Sequence, residues 1–294
     1  MSAPAVRPVN MRSPIADTKR PRVAFPPGAT DCHAHIFGPQ DRYPLQPWTH
    51  FVPPVCPLAD YVKMLRTIGC ERAVLVQPSV YGTNNLAIEE ALQSGEFPLR
   101  GVAVVSADVT DRELERLHAI GFRGIRVNTA SATPGLKLED APRIAERIKP
   151  LGWHLQFFVN LRENPGIADV LAKLPVNIVI DHFGRIAAAD GLDAPPFRAL
   201  LELLRREHCY AKLMGPYFVS DAPGFADVAP FAQAMVAAAP ERIVWGTDWP
   251  HPSAKEKLPN DGDLADLLAD WVPDEAVRKR ILGDNPQRLY GFGA

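Results

Sequence analysis

From residue 29 onward two apolar patterns alternate along the chain: short runs dense in β-branched and aromatic residues, and longer segments whose apolar residues recur at three- and four-residue intervals. The runs predict eight strands, at 29–37, 72–78, 100–106, 123–128, 154–159, 177–182, 210–214 and 242–247. Helical spacing fills the gaps. Leu58, Tyr61, Val62, Leu65 and Ile68 fall on one face that Gly69 ends, and Thr110 with Glu113 has the form of a capping box ahead of Leu114 and Leu117. Phe197, Leu200, Leu201 and Leu204 precede the seventh strand, and Phe231, Met235 and Ala238 the eighth. Leu264, Leu267, Leu268 and Trp271, then Val277, Ile281 and Leu282, mark two closing helices. Eight such beats across roughly 250 residues predict an α/β protein, a (β/α)8 TIM barrel. A doubly wound sheet is the alternative, but the first strand is not followed by G-x-G-x-x-G and no P-loop glycine pattern occurs.

Residues 1–27 read differently. Pro4, Pro8, Pro14, Pro21, Pro26 and Pro27 interrupt any helix, so this stretch is expected to be an extended N-terminal arm, with the barrel occupying 28–294. Its basic residues are followed by no apolar signal-peptide core, and no apolar run reaches the roughly 20 residues of a membrane span. The balance of 47% hydrophobic and 22% charged residues suits a soluble enzyme-sized protein. A net charge of −2 with scattered Lys and Arg leaves no electrostatic footprint for nucleic acid or a membrane surface. Cys32, Cys56, Cys70 and Cys209 lack C-x-x-C spacing and read as free thiols of a reducing cytoplasm. Nothing along the chain sets an oligomeric state.

Barrel enzymes carry their sites at the C-terminal ends of the strands. Polar residues gather there: His33 and His35 on strand one, Gln77 and Ser79 on two, Arg126 and Asn128 on four, Gln156 within five, His182 on six, Lys212 on seven and Asp248 on eight. Residues two apart in a strand share a face, so His33 and His35 point into one space. By the same parity Asp181 lies opposite His182 and is expected only to cap a loop or helix. Three imidazoles form the ligand set of a catalytic zinc site with an open position, to which Asp248 would add a ligand or a base. Without metal, the imidazoles would polarise a substrate carbonyl while Asp248 activates water.

The Asp-x-His-x-His opening, the run from Val179 to Arg185, the run from Trp245 to Pro252 around Asp248, and the closing Asn285-Pro286-x-Arg288-Leu289-Tyr290 resemble the amidohydrolase superfamily, covering nearly everything from about Pro27 onward. More narrowly they resemble its lactonase branch, which includes 2-pyrone-4,6-dicarboxylate lactonases, 4-sulfomuconolactone hydrolases, sugar-acid lactonases and a galactarolactone isomerase. The resemblance implies a distorted barrel that opens water onto a lactone carbonyl, with Asp248 as base and His33, His35 and His182 polarising the carbonyl or binding metal. It divides on the cofactor. The pyrone lactonases use no metal and the sulfomuconolactone hydrolases use zinc, so one Zn2+ on His33, His35, His182 and Asp248, or none, is implied.

Ser79, Arg126 and Arg185 match positions that surround the anionic substrate of the pyrone lactonase, and Gln156 joins them as a substrate-binding candidate. The chain departs from that enzyme at Thr129-Ala130-Ser131-Ala132 and at Gly215-Pro216-Tyr217-Phe218, where an arginine is missing, and at Phe158, where a tyrosine is replaced. The expected substrate is therefore a small lactone with one acidic group or a differently shaped ring, from the catabolism of aromatic or sugar-acid compounds. The alternatives are a zinc decarboxylase, a lactone isomerase, in which the position of Asp248 is an asparagine, and a catalytically dead binding barrel.

Overall fold

The computed structural model describes residues 8–49, 51–129, 135–164, 166–254 and 258–293. Eight strands lie parallel in sequence order: β1 (Thr30–Ala34), β2 (Arg72–Val76), β3 (Leu99–Ala103), β4 (Phe122–Asn128), β5 (His154–Phe158), β6 (Ile178–Ile180), β7 (Cys209–Leu213) and β8 (Ile243–Trp245). Between them run α1 (Leu58–Ile68), α2 (Leu86–Ser94), α3 (Asp111–Ile120), α4 (Ala141–Ile148), α5 (Ile167–Leu171), α6 (Pro195–Leu204) and α7 (Ala229–Ala238), and α8 (Asp261–Trp271), α9 (Glu275–Lys279) and α10 (Asn285–Tyr290) follow. The expected (β/α)8 barrel is the fold observed. Gly69 ends α1 in the left-handed conformation, φ 90°, its N–H donating to Leu65 O. At α3 the Thr110 hydroxyl accepts from the Glu113 N–H, while the Glu113 carboxylate pairs with Arg116.

Alternation along the strands sorts the interior. Outward-facing Ala73, Leu75, Leu155, Phe157, Ile178 and Ile180 merge with the helical stripes into the main core. Inward-facing Val74, Val76, Val102, Val179, Tyr210 and Val244 form a second cluster with Leu289, Tyr290 and Phe292, so the C-terminal segment plugs the lower end of the barrel. Above this plug the interior turns polar.

The seam between β1 and β8 closes without a regular ladder. The carboxylate of Asp31 takes its place, accepting from the N–H groups of His33 and Thr247 (3.1 and 3.0 Å), the Thr247 hydroxyl (2.5 Å) and the Tyr61 hydroxyl (2.9 Å). Strand one is shorter than expected because beyond Ala34 the chain leaves the sheet: the His35 N–H donates to Trp249 O and Phe37 pairs with Cys56. Residues 8–27 form no helix, in keeping with their prolines. Val9 and Asn10 pair in parallel with Phe51 and Val52, and Lys19 and Arg22 lie along the acidic face of α8 against Asp263, Asp266 and Asp270.

Gly246 sits at the seam, where a Cβ would stand 2.8 Å from the His33 nitrogen. Gly246→Ala is expected to lower unfolding free energy by about 1–3 kcal/mol, the usual range for overpacking, read from urea unfolding midpoints. An unchanged midpoint would mean that the seam yields freely.

Candidate active site

The upper interior is organised around Lys212, fully buried on β7. Its ammonium donates to Cys32 O (2.9 Å) and Gln156 Oε1 (2.8 Å) and stands 3.1 Å from His33 Nδ1. Asp181 provides the countercharge, its Oδ1 3.4 Å from both Lys212 Nζ and His33 Nδ1 and its Oδ2 accepting from Gln156 Nε2 at 3.0 Å. The parity expectation for Asp181 is thus overturned. Asp181 points inward in step with Val179, and His182 also reaches the site because the chain turns left-handed there, with φ 50° at His182 and 53° at Phe183. Gln156 is corrected too. Both ends of its amide are committed to Lys212 and Asp181 beneath His33, and it does not line the cavity.

Above this floor lies a cavity of about 370 Å³. His35, His182, Asp248, Ser79, Arg126 and Arg185 line it together with Phe51, Phe158, Tyr217 and Phe218. His33 Nε2 is 3.3 Å from His35 Nε2, and Asp248 Oδ1 is 3.7 and 3.6 Å from those two nitrogens. His182 belongs to a separate grouping with His33 and Asp181, its ring against Phe218 with centroids 4.1 Å apart. Its Nδ1 is buried without a hydrogen-bond partner. Arg126 and Arg185 stack on Phe158 at 5.1 and 5.2 Å; the Nε of each makes no hydrogen bond, and that of Arg126 stands 3.9 Å from Asp181 Oδ2. The substituted Phe158 therefore holds both cations in place. Ala130, Ser131 and Ala132, at which the sequence departs from the pyrone lactonase, lie outside the described residues.

Asp248 occupies a left-handed backbone position, φ 63°. Its Oδ2 accepts from the Tyr217 hydroxyl at 2.5 Å, and behind Tyr217 stand His251 (3.5 Å) and, 3.2 Å beyond, Asp261. Tyr217 was legible only as a missing arginine. Its role depends on the loop after β7 folding back over β8, which no sequence period reports.

Burial raises the Asp248 carboxyl, but the imidazoles of His182, His35 and His33 outweigh it and hold the group below its ordinary range. Burial lowers His182 to about 4, and burial with the neighbouring Lys212 takes His33 well below its ordinary value. At neutral pH the Asp248 carboxyl is therefore ionised and the imidazoles of His182 and His33 are neutral. A metal would find suitable spacing at His33 Nε2, His35 Nε2 and Asp248 Oδ1, since ligands bound at about 2.0–2.2 Å lie this far apart.

This barrel and site place the chain in the amidohydrolase family, whose model matches residues 30–292. It is 36% identical over 275 residues to a 4-sulfomuconolactone hydrolase from Hydrogenophaga intermedia, covering 92% of this chain and 91% of that protein. It is 34% identical over 286 residues to a 2-pyrone-4,6-dicarboxylate hydrolase from Comamonas testosteroni, covering 94% of each. It is also 34% identical over 282 residues to a D-galactarolactone isomerase from Agrobacterium fabrum, covering 92% of this chain and 93% of that protein. Among the described residues no helix is long and apolar enough to cross a membrane.

Burial makes stability depend on pH. His33, His182 and His154, the last lowered to about 3 chiefly by burial, refuse protons that the unfolded chain accepts below about 6.5. Asp31, raised by burial to about 6, works the other way, since the native state holds a proton there that the unfolded state has released. Three imidazoles against one carboxyl leave the unfolded state ahead by about two protons. Stability should therefore be greatest above pH 6.5 and fall towards pH 4 by about 1.4 kcal/mol per unit for each net proton. Urea midpoints across this window check it, and a flat profile would contradict buried neutral imidazoles.

Proposed function

We propose that this protein hydrolyses the lactone ring of a small anionic compound. The observation that carries the proposal is a buried Asp248 whose Oδ1 faces the Nε2 atoms of His33 and His35 at 3.6–3.7 Å, beside a cavity walled by two arginines. With the lactone carbonyl over the imidazoles, water between Asp248 and the carbonyl carbon would lose a proton to Oδ1 as its oxygen bonds to carbon. The negative charge arriving on the carbonyl oxygen is stabilised by imidazole N–H. Collapse breaks the ring C–O bond, and the proton held on Asp248 goes to the departing oxygen. Tyr217 holds the other carboxylate oxygen so that Oδ1 keeps its aim.

Arg126 and Arg185 supply the anion recognition, because a guanidinium fork matches a carboxylate or sulfonate and neither buried Nε–H is taken up by a hydrogen bond. The similarity to two hydrolases of anionic lactones supports the same substrate class. We further place the enzyme in the cytoplasm, which four buried free thiols suit, in the catabolism of aromatic or sugar acids. Isomerisation of a sugar-acid lactone is the second reading, favoured by the isomerase relative. The ionisable Asp248, where that isomerase type has an asparagine, favours hydrolysis.

Turnover of 4-sulfomuconolactone, 2-pyrone-4,6-dicarboxylate and galactarolactones in 18O-labelled water separates the readings. One label in a ring-opened acid is expected, whereas an unlabelled isomeric lactone would establish isomerisation. Asp248→Asn should reduce kcat at least ~10²-fold, the lower end of what losing a general base costs; an unchanged kcat would sink its assignment. Arg185→Met should raise KM by roughly 10-fold or more, the loss of one charge-assisted hydrogen bond, with a smaller change in kcat. Equal KM values for the variant and the wild type would remove Arg185 from substrate recognition.

A further inference from the structure

We infer that Lys212 fixes the proton of His33 on Nε2 and thereby makes the His33–His35–Asp248 cluster a hydrogen-bonding carbonyl clamp that resists zinc. The inference concerns the site proposed above, but it rests on hydrogen-bond inventory.

An ammonium has three N–H groups and no acceptor. Lys212 has three acceptors in reach: Cys32 O at 2.9 Å, Gln156 Oε1 at 2.8 Å and His33 Nδ1 at 3.1 Å. Asp181 Oδ1, at 3.4 Å, takes no hydrogen bond and serves as countercharge. The third hydrogen of Lys212 therefore goes to His33 Nδ1, which must offer its lone pair. Gln156 points the same way. Its Oε1 faces the ammonium, so its NH2 end is the one turned to Asp181 Oδ2 at 3.0 Å and to His33 Nδ1 at 3.3 Å. Asp181 Oδ1 also faces Nδ1 at 3.4 Å but makes no hydrogen bond there, so the two closer donors decide and the ring proton of neutral His33 sits on Nε2.

His35 has the opposite tautomer. Its Nδ1 lies 2.7 Å from Val76 O, which can only accept, so Nδ1 carries the proton and Nε2 presents a lone pair. The two rings thus complement each other, with His33 Nε2–H directed at His35 Nε2 over 3.3 Å. When substrate enters, that N–H can turn to the lactone carbonyl oxygen.

Zinc needs a lone pair from each imidazole. His35 and Asp248 can provide ligand atoms, but His33 would have to move its proton to Nδ1, against the ammonium and the Gln156 amide. Asp181, 3.4 Å from the same His33 nitrogen, balances the Lys212 charge, so the opposition to zinc comes from the hydrogen-bond donors aimed at Nδ1. The spacing of the cluster suits a metal, and its second layer of hydrogen bonds does not.

The chain has only 8 histidines, so 15N-labelled imidazole spectra of the metal-free wild type, with His33→Gln and His35→Gln to assign the rings, read the tautomers directly. Protons on Nε2 of His33 and Nδ1 of His35 are expected; a proton on Nδ1 of His33 overturns the proposal without any need for a Lys212 variant to fold. Zinc binding, followed by elemental analysis after equilibrium dialysis, gives the second arm. Lys212→Met should bind one zinc at least 10-fold more tightly than the wild type and lose it when His35→Gln is added. Equal zinc affinity in the wild type and Lys212→Met overturns the role assigned to Lys212. Neither readout depends on turnover, so failure to hydrolyse any lactone would count against the proposed function alone.

Discussion

Lys212 and Asp181 bring two opposite charges into the barrel, where water does not reach, and much of the site follows from satisfying them. Each ion costs several kcal/mol to desolvate, and their attraction offsets this only if their remaining hydrogen-bonding capacity is also met. The irregularity of β1 between Asp31 and Ala34 accompanies a Cys32 carbonyl available to the ammonium. Gln156 then bridges the two charges with opposite ends of one amide. His33 completes the shell beneath the cavity. The floor is rigid because each member has a fixed partner.

The rim is built differently. Asp248, His182 and His251 all have left-handed backbones, a conformation that costs non-glycine residues free energy and persists where the surroundings over-determine it. For Asp248 the surroundings include its own N–H donating to His33 O and the Tyr217 hydroxyl on its carboxylate. For His182 they include Phe218 packed on the ring and Gly215, where a Cβ would stand 2.6 Å from His182 Nδ1. Strain at these corners lets residues that follow the strands turn back over the barrel mouth. The arginines meanwhile rest on Phe158, with Arg126 also 3.9 Å from the Asp181 carboxylate.

The chain by itself determined the architecture, because alternating and helical apolar periods are local consequences of burying one face of each element, and eight repeats of them admit few arrangements. It also picked out polar strand ends that come together: His33, His35, His182, Asp248, Ser79, Arg126 and Arg185 all stand in or directly beneath one cavity. Tertiary structure decided what spacing does not encode. Asp181 was read as facing away from His182; it points inward in step with Val179, and the left-handed turn at His182 brings that residue in as well. Gln156 reads as a substrate ligand until Lys212, 56 positions away, is seen to claim it. Tyr217 reaches Asp248 across 31 positions. Hydrogen bonds between distant strands depend on how the barrel closes, and closure rests on contacts such as Asp31 with Thr247 that no local period reports.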